Sequence, residues 1–238
     1  MNPWLVALLV NSILAVPAST SRVKVLTPQG ILHSWALGVL ILGALGWAGY
    51  AIIFVYFVVG TAATRIGFAQ KQARGIAEKR GGARGPANVW GSAATAAVTA
   101  LGQLIVPHPL WLMAYVASLA TKLADTTSSE IGKTYGRTTY LITTFRPVPP
   151  GTEGAVSLEG TLAGMAAAIA LSSLGASVGL IPWGALPWAV LAAFLATTVE
   201  SLLGATIQSQ GYLSNEGVNV LNTALGAVLG AGFLWLWG

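Results

Sequence analysis

The chain has no cysteine among its 238 residues, and only 8% of them are charged. The first absence excludes thiol nucleophiles, disulfides and thiolate-held metals. The second excludes an ordinary soluble globule, in which roughly 25% of residues are charged. The two histidines, His33 and His108, fall at predicted opposite ends of the membrane and share no ligand spacing, which argues against a zinc site or a histidine-assisted nucleophile. Neither a GxxxxGKS/T loop nor a GxGxxG turn occurs. Any nucleotide chemistry must then be built from helix ends and carboxylates.

What the chain has in abundance is apolar sequence: 55% hydrophobic residues, nine tryptophans and a mean hydropathy of +0.71. The apolar runs predict an all-α integral membrane protein of about eight helices, over 3–18, 30–46, 48–65, 88–106, 109–125, 157–180, 184–207 and 217–237. Seven spans remain possible, since several runs are short. The N-terminus lacks the basic start of a cleaved leader, so Trp4 to Val16 reads as a first span.

The charges decide the orientation. Arg22 and Lys24 follow span one, five Lys and Arg between Lys71 and Arg84 follow span three, and Lys133, Arg137 and Arg146 follow span five. The alternate connections carry neither Lys nor Arg. By the positive-inside rule the charged linkers are cytoplasmic and both termini lie outside. The chain thus reads as a single membrane domain: three N-terminal spans to residue 65, a basic loop over 66–87, helix pairs over 88–136 and 154–211, and a last span. The net charge of +5 could suit nucleic acid, anionic lipid or a phosphorylated substrate, and the adjoining spans exclude the first.

One stretch, Ala124 to Gly136, concentrates Asp125, Glu130, Lys133, two glycines and several hydroxyls at the end of an apolar run. Carboxylates near a bilayer cost several kcal/mol unless paired or bound to a cation, so they point to function. As a helix, this stretch places Asp125, Ser128, Ser129 and Gly132 on one face, suited to a metal-bridged phosphate. A weak repeat supports the paired-helix layout. Gly85 to Ser92 and Gly154 to Thr161 share glycines and polar residues at equal offsets, and forty-odd residues later each unit ends in an acid, Asp125 or Glu200. The repeat therefore predicts that these two ends lie side by side. Asn88, Gly91 and Ser92 form a helix N-terminal face suited to an anion, and Ser157, Gly160 and Thr161 copy it beside Glu159. Each face is also an ordinary helix cap. The glycines around Arg84 would let its guanidinium and nearby N–H groups meet phosphate. Glu200, Gly204 and Gln208 are spaced i, i+4, i+8, and Asn219 and Asn222 line one face of the last span, the latter as helix-to-helix glue.

These pieces, in order, resemble a known membrane family: the phytyl-phosphate kinases together with transmembrane protein 19. The matching segments are Lys79 to Arg84 with Asn88-Val89, the stretch 124–132, Gly151 to Ser157, Ser201 to Gln208, and Asn219 with Asn222. Asp125-Thr126 with Gly132-Lys133 and Ser157 to Gly160 also look like CTP-dependent polyprenol kinases and CDP-lipid synthases. Glu200 stands where the family pattern favours aspartate. The resemblance implies Mg2+-dependent phosphoryl transfer from CTP to an isoprenoid lipid phosphate. It assigns Asp125, Glu130 and Lys133 to catalysis, and Asp125, Glu159 and Glu200 to the metal. Arg80, Arg84, Asn88, Ser129, Ser157, Glu159, Gly160 and Asn219 fall to nucleotide or phosphate binding. Two other readings use the same elements: a phytol or polyprenol kinase or cytidylyltransferase, and an anionic-lipid transporter. The gathering of polar residues at one membrane face argues against the last.

Overall fold

The computed structural model describes residues 2–21 and 23–238. Arg22, counted above in the first charged linker, lies outside the described residues. Eight α-helices are present among these: α1 (Pro3–Thr20), α2 (Pro28–Arg65), α3 (Phe68–Ala73), α4 (Pro86–Ile105), α5 (Pro109–Tyr135), α6 (Leu158–Ser177), α7 (Leu186–Leu203) and α8 (Asn215–Trp237). A short antiparallel pair, β1 (Tyr140–Leu141) with β2 (Ala155–Val156), is the one addition to the all-α expectation.

The runs 30–46 and 48–65 both lie within α2, which breaks at Gly46 with φ 64° and ψ −163°. A side chain is strongly disfavoured in that conformation, so glycine is what permits the turn. The second half returns to the start of the first, and Arg65 donates to the Lys24 carbonyl at 2.9 Å. The expected pair of spans is therefore present as a hairpin. Antiparallel neighbours continue through α4 to α8, so the linkers at 20–28, 65–86, 135–158 and 203–215 gather at one end with the Lys and Arg side chains. The opposite end carries Trp47, the Pro107 to Pro109 turn and the stacked Trp188 and Trp237 rings, 5.3 Å apart.

The core is α5. Every residue from Met113 to Asp125 is buried, and α2, α4, α6, α7 and α8 all pack on it. Five described helices are apolar enough by hydropathy to cross a bilayer, and α5 is not among them. A helix jacketed by protein can carry Lys122 and Asp125, because the surrounding helices rather than α5 face lipid. Helix α5 also runs ten residues beyond its expected end at 125, about 15 Å further. Its partner α6 lies close: a Cβ on Gly164 would stand 2.0 Å from Ser128 Oγ and 2.8 Å from the Ala124 carbonyl, and one on Gly160 would meet the Ser128 carbonyl at 2.5 Å. Small residues on both helices permit this approach.

Candidate active site

Three helices meet at the charged end around Lys122. Its buried Nζ donates to Asp125 Oδ2 at 2.5 Å and to Asn219 Oδ1 of α8 at 2.6 Å. From α7, Glu200 lies against Asp125 and within Coulombic reach of Lys122 and Glu153. The repeat thus brings its two acidic ends together as expected. Two facing carboxylates share one ammonium here, in a low-dielectric setting where charge interactions are strong.

A second cluster adjoins the first. Arg84 donates to Tyr56 OH at 3.2 Å, and Tyr56 is in turn within Coulombic reach of Lys122. Among the described residues no carboxylate pairs with Arg84. Its backbone is fixed on both sides, since its N–H donates to the Val25 carbonyl and its own carbonyl accepts from Thr27, each at 3.0 Å. The preceding turn is left-handed at Arg80, Gly81 and Gly82. Arg80 itself donates to Asn88 Oδ1 at 2.5 Å, which also accepts from the Gly85 N–H, while Asn88 Nδ2 donates to Glu216 at 3.3 Å. The Asn88 amide is engaged at both ends. Gly91 packs directly on Glu216, so this helix face already holds an anionic side chain.

Glu130 and Lys133 belong to a third cluster. Lys71 of α3 is 1% exposed and pairs with Glu130 while also donating to the Thr64 carbonyl at 2.9 Å. Lys133 approaches Glu130 at 3.7 Å and Glu78 at 3.9 Å. This arrangement clasps the basic loop to the extension of α5. Breaking a buried pair strands a charge, so Lys71→Met is expected to cost about 3–5 kcal/mol. Lys71→Met with Glu130→Leu should recover most of that loss in thermal unfolding of the detergent-solubilised protein.

The remaining residues occupy other places. Ser128 and Gly132, read above as part of a face suited to a metal-bridged phosphate, are covered by α6 and its cap: a Cβ on Gly132 would meet Ser157 Oγ at 3.1 Å. Helical spacing identified the shared face but not the helix that fills it. Ser157 caps α6 by accepting from the Gly160 N–H at 3.1 Å, and Ser129 is exposed. Glu159 stands apart from Asp125 and Glu200, accepting from the Arg137 N–H at 3.4 Å. No three His, Cys, Asp or Glu side chains converge among the described residues. The regular i, i+4, i+8 spacing ending at Gln208 is interrupted by a π turn over Gly204–Gln208. Gln208 Oε1 and both Asn222 amide atoms are buried without partners among the described residues, so Asn222 makes no direct hydrogen bond between helices.

Sequence reading missed Lys122 and Tyr56. Lys122 did carry a signal: it is a lysine inside an apolar run, one helical turn before Asp125. Tyr56 carried none, since one tyrosine among apolar neighbours is ordinary.

Residues 11–227 match the family described as Integral membrane protein DUF92. The chain belongs to this family. It is 57% identical over 234 residues to an uncharacterized membrane protein of Synechocystis sp., covering 97% of this chain and 91% of that one. It is 44% identical to Protein VTE6, chloroplastic, of Arabidopsis thaliana, covering 95% and 70% of the two chains. An uncharacterized membrane protein of Methanocaldococcus jannaschii is 29% identical over 94% and 92% of the two chains. No solved structure matches.

Proposed function

We propose that this protein is a CTP-dependent phytyl-phosphate kinase that forms phytyl diphosphate for tocopherol-type prenyl lipids. The observation that carries this reading is the junction of buried Lys122, Asp125 and Asn219 with Glu200, beside the carboxylate-free Arg84. The motifs that resemble the kinase family supply two parts of this junction, Asp125 and Asn219, together with Arg84.

In the reaction an oxygen of phytyl phosphate bonds to the γ-phosphorus of CTP as the bond to the β-phosphate oxygen breaks, releasing CDP. The acceptor is already an anion, so no strong base is needed. What the protein must do is bring like charges together and neutralise them. Arg84 and Lys122 are the cations placed for this, with Lys122 oriented by Asp125 and Asn219. Mg2+ is usually held by one or two carboxylates plus substrate phosphates, and the facing Asp125 and Glu200 fit that donor set. When bound it would neutralise developing phosphate charge. The unpartnered acceptor of Gln208 and the Asn222 amide are suited to ordered water or to polar edges of the nucleotide. The active face is proposed to be cytoplasmic, by the positive-inside rule.

The test is transfer from γ-labelled CTP to phytyl phosphate, with phytol and no acceptor as controls. Label is expected in phytyl diphosphate and lost in Asp125→Asn. Label in phytyl monophosphate would move the assignment to a phytol kinase. Absence of transfer with folded protein and Mg2+ would sink the kinase reading.

A further inference from the structure

Between α1, the α2 hairpin and α4 lies a cleft of about 210 Å³. Its polarity is graded. Arg84, Asn88 and Tyr56 line the charged end, and Ala15, Phe54, Phe57 and Ala93 are among the residues that line the middle. Asn11 and Tyr50 also line the cleft, deeper in the membrane, where Tyr50 OH donates to Asn11 Oδ1 at 2.9 Å and Asn11 Nδ2 donates to the Ala7 carbonyl at 2.9 Å. Gly38 leaves room for this pair, because a Cβ there would stand 2.0 Å from Asn11 Oδ1.

We infer that this cleft is the acceptor site, taking a single-chain isoprenyl monophosphate with its phosphate on Arg84 and the first part of its chain along α1, α2 and α4. The identity of the occupant rests on the kinase reading. Three features select it. The charged end offers a guanidinium with no carboxylate partner, which calls for an anion. That guanidinium also lies over the Tyr56 and Phe57 rings, at 5.7 and 5.8 Å from their centroids, so the anion would bind where the wall turns apolar. From Tyr56 to Tyr50 the cleft follows six residues of helix, a depth of about 9 Å. This is too shallow for a long chain to lie wholly inside, and the satisfied Asn11–Tyr50 pair closes the way deeper. A long chain must therefore turn outward. Helix α1 packs chiefly on α2, so the gap between α1 and α4 is the way out to lipid.

The test is photolabelling in nanodiscs with an isoprenyl monophosphate carrying a diazirine close to its head. Cross-links are expected on residues 11–18, 31–38, 50–57 and 88–93. Ala15→Trp, which fills the cleft from α1, should reduce labelling at least tenfold. Unlabelled phytyl phosphate should compete at least tenfold better than phytol, and Arg84→Gln should erase that preference. Labelling elsewhere, no labelling, labelling undiminished by Ala15→Trp, or equal competition by phytol would each overturn the assignment. Cross-links in the cleft without γ-phosphoryl transfer would keep the site and discard the kinase. Transfer with cross-links elsewhere would do the reverse.

Discussion

Lys122→Met is expected to lower the proposed phosphoryl transfer by about 10²–10³-fold, the range seen when one preorganised charge-stabilising donor is removed. The substitution keeps most of the side chain's length and apolar stem and deletes its charge. Asp125 and Glu200 then face each other without the ammonium that holds them, so folding stability should also fall, by about 3–5 kcal/mol. Activity and stability can be separated. Lys122→Met combined with Asp125→Asn removes both the cation and its direct partner, and should regain thermal stability without regaining transfer. Lys122→Arg keeps the charge but replaces a compact ammonium by a planar fork, and is expected to fold with transfer reduced at least about tenfold. Near-normal transfer by folded Lys122→Met would remove Lys122 from the mechanism.

The second large effect lies in the seam between α5 and α6. Gly164→Val places methyl groups where even a Cβ would stand 2.0 Å from Ser128 Oγ and 2.8 Å from the Ala124 carbonyl. The hydroxyl can rotate away, whereas the carbonyl belongs to the helix and cannot. Overpacking of this kind costs about 1–3 kcal/mol, and more where backbone must move. A lower thermal midpoint is expected, together with reduced transfer, because Asp125 shares its helix with the displaced seam. Ser128→Gly in the same chain should return only part of the stability, since the Ala124 carbonyl stays. Full recovery would mean that the side chain, not the backbone, sets the helix separation.

The spans and the gathering of charge at one end were legible because hydropathy and linker charge are local properties of the chain. The meeting of Asp125 with Glu200 was legible through the repeat. What periodicity could not supply was the identity of the covering surface. It grouped Asp125 with Ser128 and Gly132 on one face, yet α6 covers Ser128 and Gly132 while Asp125 turns to Lys122 and to Glu200 of α7. Glu130 looked available beside Asp125, but its partner Lys71 lies 59 residues earlier, and no spacing rule joins them. The offset match between Gly85 to Ser92 and Gly154 to Thr161 also concealed a difference. Asn88 lies inside the first turn of α4, whereas its counterpart Ser157 is the residue before α6.

The position of Arg84 has a consequence for how damage to this chain would be read. Its backbone is bonded on both sides to the segment between α1 and α2, and a Cβ on Gly30 would lie 2.3 Å from its carbonyl oxygen. Gly30 is therefore a distant address for the same site. In a survey of inactivating substitutions it would group with Arg84, although it carries no chemistry and stands far from it in the sequence. Conversely, a cut in the loop between α3 and Arg80 would still leave Arg84 tied to that segment by those two rungs.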